Sequence, residues 1–250
     1  MNVPKNKVDS TVNSTDSSYL QRVLQRLRTS WPIWVSGFIA IGLLGSFLQL
    51  AEDVWMKEAF AWDAPVMLAV HQLSTPWLNT LMIAITWIGS PGIILLAPLA
   101  AGWLWLRRRK PAAAIALMVS VIGAALLSGS LKLLFARPRP TVFPPLLTEQ
   151  TYSFPSGHTW VSIAFYGFIA YLLWQHQRRV GAILTAAFAL LIAFSRIYLG
   201  VHYPSDVLAS LSIGLLWLGT VIGGYRHYQS HPTTPTSQDD AATSAPGERV

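Results

Sequence analysis

The sequence has no cysteine, and only 12% of its 250 residues are charged. The missing thiol excludes disulfides, a thiol nucleophile and thiolate metal sites, and leaves the compartment open. The shortage of charge is as informative, because soluble domains carry about 25% charged residues. No internal repeat is visible, which weighs against a transporter built from two related halves. No cleavable signal peptide is evident either. The first 30 residues are polar, which is long for an n-region, and the apolar run that follows reads as an uncleaved first helix.

What the chain does have is apolar surface. Hydrophobic residues make up 52% of it, so a membrane protein is the first reading. The formal charge of +7 would fit nucleic acid if it formed a patch. Instead the basic residues lie in short clusters between apolar runs, as they do on the cytoplasmic side of membrane proteins. A span needs about 20 apolar residues. Runs near 31–51, 80–106, 112–135, 158–175, 181–199 and 206–225 meet that need, the second with an expected kink at "GSPG", 89–92.

The expected fold is all-α, a polytopic bundle of six transmembrane helices over 31–225. Lys5, Lys7, Arg22, Arg26, Arg28, Arg107 to Lys110, Arg178, Arg179 and Arg226 then share one side. Both termini are expected in the cytoplasm. Residues 1–30 form a cytoplasmic segment. In it, "LQRVLQRLR" has Leu20, Val23, Leu24 and Leu27 at helical spacing, the pattern of a basic amphipathic helix on the membrane surface. A plain extension of the first span fits the same residues equally well. Residues 226–250 are expected to be a disordered tail. His71 is expected on an interfacial helix and outside any site.

This topology leaves Lys132, Arg137, Arg139, His158, Arg196, His202 and Asp206 unexplained. Lys132 lies 22 residues after Lys110, His158 20 before Arg178, Arg196 17 after Arg179, and Asp206 20 before Arg226. Each interval is roughly 25–33 Å of helix, about one hydrocarbon thickness. Four segments therefore deliver polar groups to one level, the outer face. Taken singly, each has a structural reading. Lys132 could snorkel, Arg137-Pro138-Arg139-Pro140 could stiffen a loop, and His202 with Asp206 could be a surface pair. Their agreement in level points to function, because charge near the hydrocarbon core is costly.

These residues resemble the signatures of the type 2 phosphatidic acid phosphatase superfamily. Lys132 followed after six residues by Arg139-Pro140 is similar to the first signature. Pro155-Ser156-Gly157-His158 is similar to the second. Ser195-Arg196, five residues, His202, three residues and Asp206 are similar to the third. The motifs cover 132–206. The resemblance implies membrane phosphatases acting on lipid phosphates, and it extends to soluble vanadium haloperoxidases. Six predicted spans favour the phosphatase branch.

The chemistry fits such residues. Transfer of a phosphoryl group without metal needs cations and donors around its oxygens. Lys132, Arg139 and Arg196 supply three charges. Ser156 and Gly157, just before a helix, supply free N–H groups and a positive dipole end, with a hydroxyl from Ser156. His202 is the candidate nucleophile, with Asp206 orienting one ring nitrogen and stabilising the imidazolium. His158 is the candidate general acid and then base. No cofactor and no metal are expected.

The expected function is hydrolysis of a lipid phosphate monoester or diphosphate through a phosphohistidine. Phosphatidate, phosphatidylglycerol phosphate and undecaprenyl diphosphate all stand as substrates. Hydrolysis of a small soluble phosphate ester, or haloperoxidase-type oxidation with bound vanadate, is the alternative. An anion or lipid binder or transporter is the non-enzyme alternative, but it would not need His202 with its carboxylate. The expected partner is the lipid bilayer, with no nucleic acid. The expected place is a bacterial plasma membrane, with the site on its extracytoplasmic side.

Overall fold

In the computed structural model, residues 12–96 and 111–231 are described, with side chains from residue 34 onward. All regular structure among them is helical. The helices are α1 (Val12–Trp55), α2 (Asp63–His71), α3 (Pro76–Ile88), α4 (Pro111–Phe135), α5 (Gly157–Gln175), α6 (Arg179–Tyr198) and α7 (Pro204–Ser230). Beyond Ile88 the chain breaks at Gly89 and Ser90, and a helix resumes over 91–96. The break falls at the expected kink. It is held by packing, since a Cβ on Gly89 would collide with the Ile192 side chain.

Five stretches are long and apolar enough to cross a membrane: Trp34–Trp55, Pro76–Leu96, Pro111–Phe135, Arg179–Tyr198 and Pro204–Ser230. Large apolar side chains point outward along them, among them Phe38, Ile41 and Leu48 of α1, Leu126 and Leu133 of α4, and Ile183 and Leu184 of α6. A bundle that is apolar outside as well as inside belongs in lipid. The chain is an integral membrane protein.

The expected span 158–175 is helix α5, but it is not among those five. Its first turn carries His158 and Thr159, with Ser162 one turn on. It is the helix wrapped most closely by the others, packing against α4, α6 and α7. Its buried positions include Thr159, Trp160, Ser162, Ala164 and Phe168. The expected second span begins earlier than residue 80, at Pro76, and its part beyond Leu96 lies outside the described residues. Helix α1 begins at Val12 and runs without interruption into the first span. The side chains of the basic segment 20–28 lie outside the described ones, as does the tail beyond residue 231. Helix α7 runs to Ser230, a little past the expected boundary at 226.

Packing of α4, α5 and α7 forms the main core, with Leu117, Val121, Trp160, Ala164, Phe168 and Leu218 at its centre. Polar threads tie the same helices: Ser120 donates to the carbonyl of Ala164 at 2.9 Å, and Trp217 Nε1 donates to the carbonyl of Ser120 at 2.8 Å. In lipid such bonds fix register where apolar contact is not selective. A second cluster joins α3 to α6 through Met82, Ile85 and Ile192, and a third joins α1 to the 154 turn and α7 through Phe47, Val54, Phe154 and Ala209.

This framework brings four helix ends together. Lys132 is in the last turn of α4 and Arg196 in the last turn of α6. Gly157 and His158 open α5, and Asp206 is in the first turn of α7. The level expected from counting along each helix is therefore one end of the bundle.

Candidate active site

Two connections complete that end. The α6–α7 turn is short, and Gly200 takes φ +75° in it, with the Phe143 ring so close that a Cβ would lie 2.6 Å away. Only glycine suits both demands. The turn delivers Val201 and His202, and Pro204 starts α7 at its first position. The α4–α5 connection leaves α4 through Ala136, at φ 44°, and then runs without regular structure past Arg137 and Arg139.

The imidazole of His202 is fully enclosed. Its Nδ1 lies 3.4 Å from Asp206 Oδ2 and 3.4 Å from Ser153 Oγ. Its Nε2 faces Arg139 Nη1 at 3.3 Å. With Asp206 ionised, the proton belongs on Nδ1, which leaves the Nε2 lone pair on the cationic side. Burial lowers the His202 pKa well below 6.5, and Arg196, Arg139 and Lys132 push it the same way. The ring is neutral at neutral pH, as a nucleophile must be.

Asp206 is bonded through both carboxylate oxygens. Oδ2 accepts from Ser153 Oγ and, at 2.9 Å, from the Tyr203 N–H, which makes a capping box at the start of α7. Oδ1 accepts from Arg137 Nη1 at 2.5 Å.

The cations surround the Nε2 side. Arg139 donates from Nε to the carbonyl of Thr151 at 2.7 Å and from Nη1 to that of Val201 at 2.7 Å. Burial pulls the Arg139 pKa below its usual value, while Glu149 and Asp206 oppose the shift. Lys132 Nζ donates to the carbonyl of Tyr152 at 2.5 Å and to Thr151 Oγ1 at 3.2 Å. Arg139 Nη2 shares that hydroxyl at 3.2 Å. Arg196 is completely buried; Nη1 donates to Thr86 Oγ1 at 2.5 Å and Nη2 to Glu149. Its Nε has no hydrogen-bond partner among the described residues. Glu149 also stands 3.8 Å from Arg139. One carboxylate thus spans two arginines, the place and charge a phosphate would take.

Ser156 caps α5 in extended conformation and is buried. Its hydroxyl accepts from Thr159 Oγ1 at 2.9 Å, so its own proton is free for another acceptor. A Cβ on Gly157 would sit 3.3 Å from Ser128 Oγ and 3.6 Å from Lys132 Cε, so glycine keeps the backbone close to the lysine. The His158 ring makes no hydrogen bond among the described residues. Its electrostatic neighbours are Arg196, His202, Lys132 and Arg139. Among the described residues no group of three His, Asp or Glu side chains is placed to hold a metal.

All the sequence-predicted site residues therefore meet at one place. His71 lies apart, stacked on Phe143 with ring centroids 4.0 Å apart. Sequence reasoning missed Thr86, Glu149, Thr151, Ser153 and Asp63, and left Arg137 as an unexplained charge without a role. A signal existed for Glu149, the only charged residue between Arg139 and His158.

The sequence profile of the PAP2 superfamily matches residues 113–228. Phosphatidylglycerophosphatase B of Bacillus subtilis is 34% identical over 192 residues, which cover 73% of this chain and 93% of that protein. The chain belongs to the PAP2 superfamily. As a member it is a membrane phosphatase that hydrolyses phosphate esters. The undecaprenyl-diphosphatase BcrC of Bacillus subtilis is 30% identical, covering 59% of this PAP2 chain and 76% of its own length. The crystal structure of a transmembrane PAP2 type phosphatidylglycerolphosphate phosphatase from Bacillus subtilis superposes with a TM-score of 0.70. It is 29% identical and covers 79% of this chain and 100% of its own.

Proposed function

We propose that this protein is a metal-independent lipid phosphate phosphatase that works through a phosphohistidine on His202. The observation that carries this reading is the two-sided imidazole. Nδ1 faces Asp206, and Nε2 faces Arg139, with Arg196 and Lys132 also among the cations acting on the ring. In the first step Nε2 attacks phosphorus and the ester P–O bond breaks. Asp206 stabilises the imidazolium that forms, and His158 protonates the leaving oxygen. In the second step His158 takes a proton from water, water attacks phosphorus, and the P–N bond breaks to release phosphate. Lys132, Arg139, Arg196, the Ser156 hydroxyl and the N–H groups at the head of α5 hold the equatorial oxygens throughout.

A lipid substrate is favoured by the surroundings. An apolar groove of about 300 Å³ runs between α1, α4 and α7, lined by Phe47, Leu127, Leu131, Trp160 and Ile213. Leu131 and Trp160 line it within the helix turns that carry Lys132 and His158, so an acyl or prenyl chain in the groove would reach the level of the cations. The names of the relatives point to phosphatidylglycerol phosphate and undecaprenyl diphosphate. With α5 as the sixth span, both termini fall in the cytoplasm and the site faces the outside of a bacterial plasma membrane.

Phosphate release from phosphatidate, phosphatidylglycerol phosphate, undecaprenyl diphosphate and a water-soluble monoester, compared by kcat/KM in detergent, tests the substrate class. A lipid should win by more than tenfold, and EDTA should leave the rate unchanged. Equal turnover of the soluble ester, or loss on chelation restored by a divalent ion, would contradict the reading. Sidedness is tested by cysteines: Thr148→Cys should react with an impermeant thiol reagent in intact cells and Ser237→Cys should not.

A further inference from the structure

The bonds around Asp206 do not end with the third signature. Oδ2 is shared by Ser153, the Tyr203 N–H and His202, but among the described residues Oδ1 has one partner, Arg137. Arg137 is held on every side. Its guanidinium lies 4.2 Å from the Tyr203 ring centroid and 5.3 Å from that of Phe60. Nη1 also donates to Ser205 Oγ at 2.8 Å. Nη2 donates to Asp63 Oδ2 at 3.0 Å. Asp63, buried at the start of α2, in turn accepts the Ser205 N–H at 2.9 Å and the Ser205 hydroxyl at 2.5 Å.

We propose that Arg137, anchored by Asp63, is a positioning residue for the reaction, fixing the rotation and the charge of Asp206 and thereby the tautomer of His202. This rests on the phosphohistidine reading above. Neither residue belongs to the three signatures, and Asp63 lies outside the region that the family profile matches.

The physical case is one of charge in a dry place. Asp206 is wholly buried, and an isolated buried carboxylate takes up a proton rather than stay ionised. The other cations near it, Lys132 and Arg139, are bonded to loop carbonyls, and His202 is neutral in the resting enzyme. Among the described residues, Arg137 is the cation hydrogen-bonded directly to Asp206. Asp63, Arg137 and Asp206 together carry one net negative charge, which the His202 imidazolium neutralises when it forms. The planar guanidinium can bridge both carboxylates at once; an ammonium cannot do so with the same geometry.

The test uses the full-length enzyme in detergent with phosphatidate as the probe, and measures kcat against pH beside the melting temperature. Arg137→Gln should lower kcat by about 10- to 100-fold with KM within about twofold, because the loss falls on the imidazolium-forming step. Its acid limb should move to higher pH by about one unit, since Asp206 now binds a proton more readily. Arg137→Lys should keep the acid limb near the wild-type position while kcat remains reduced. A folded Arg137→Gln enzyme with wild-type kcat or an unmoved limb would overturn the proposal. So would an Arg137→Lys enzyme whose limb moves as far as that of Arg137→Gln. If Arg137→Gln does not fold, Arg137→Lys decides: wild-type kcat overturns the proposal, and a reduced kcat with the limb in place supports it. Wild-type enzyme that releases phosphate from none of phosphatidate, phosphatidylglycerol phosphate and undecaprenyl diphosphate would overturn the functional reading, and this inference with it.

Discussion

The two sides of His202 are built differently. On the Nδ1 side each carboxylate oxygen of Asp206 is bonded, and the chain of partners runs through Arg137 to Asp63 and Ser205. On the Nε2 side the cations are held by main-chain carbonyls of the 151–152 segment and by Glu149, while among the described residues Arg196 Nε has no partner and His158 makes no hydrogen bond. The first side is complete before any substrate arrives. The second is a cluster of cations held by carbonyls, hydroxyls and one carboxylate. Preorganisation of this kind places the orienting groups where charge will develop, so little rearrangement is needed during the reaction.

Substitutions can break this contrast. His202→Ala removes the group both sides serve, and kcat should fall by about four orders of magnitude or more, as for other nucleophile deletions. Asp206→Asn keeps the shape of the finished side and removes its charge. By analogy with the orienting carboxylate of a triad, kcat should fall by about a hundredfold to ten-thousandfold with KM little changed. On the open side, alanine at Lys132, Arg139 or Arg196 should raise KM and lower kcat together. Loss of kcat/KM of about a hundredfold to a thousandfold each is expected, because these groups bind both ground state and transition state. Steady-state phosphate release measures all of these. A KM effect at Asp206 equal to that at Arg196 would erase the distinction.

Smaller effects sharpen it. Glu149 sits where an anion belongs, so Glu149→Gln should strengthen inhibition by vanadate by about threefold to tenfold as competition for the arginines is relieved. Unchanged inhibition would mean that the carboxylate does not compete. The pH profile should also reflect the depressed pKa of His202. The neutral ring persists as pH falls below 6.5, so the acid limb of kcat should lie below that value, not at it. A limb at or above 6.5 would place His202 in a wetter site than the one described.

The open side was largely legible in the sequence, and the finished side only in part. Lys132, His158, Arg196 and Asp206 are charged or polar residues at the ends of apolar helices, where they conflict with hydropathy and stand out. The helices themselves are legible because the apolar runs have the length of a span. Arg137 was visible as an unexplained charge, but in an Arg-Pro-Arg-Pro run it read equally well as a stiff loop. Asp63 was one acid among several between the first two spans, and nothing in its neighbours connects it with Ser205, 142 residues away. Tyr152 acts through its carbonyl and Thr151 through its carbonyl as well as its hydroxyl; a carbonyl is common to every residue and a loop threonine is commonplace, so side-chain type gives little hint of them. Helix α5 shows the reverse limit: its polar first turn, the mark of its role, lowers the apolar signal by which a span is recognised.

The central claim is that phosphorus is transferred to His202. Rapid-quench trapping with radiolabelled phosphatidate tests it most directly, on wild type, His158→Ala and His202→Ala. The expected result is an acid-labile, base-stable label on the wild-type protein, a longer-lived label on His158→Ala, and none on His202→Ala. Label of that stability on the His202→Ala protein would contradict the assignment of the nucleophile.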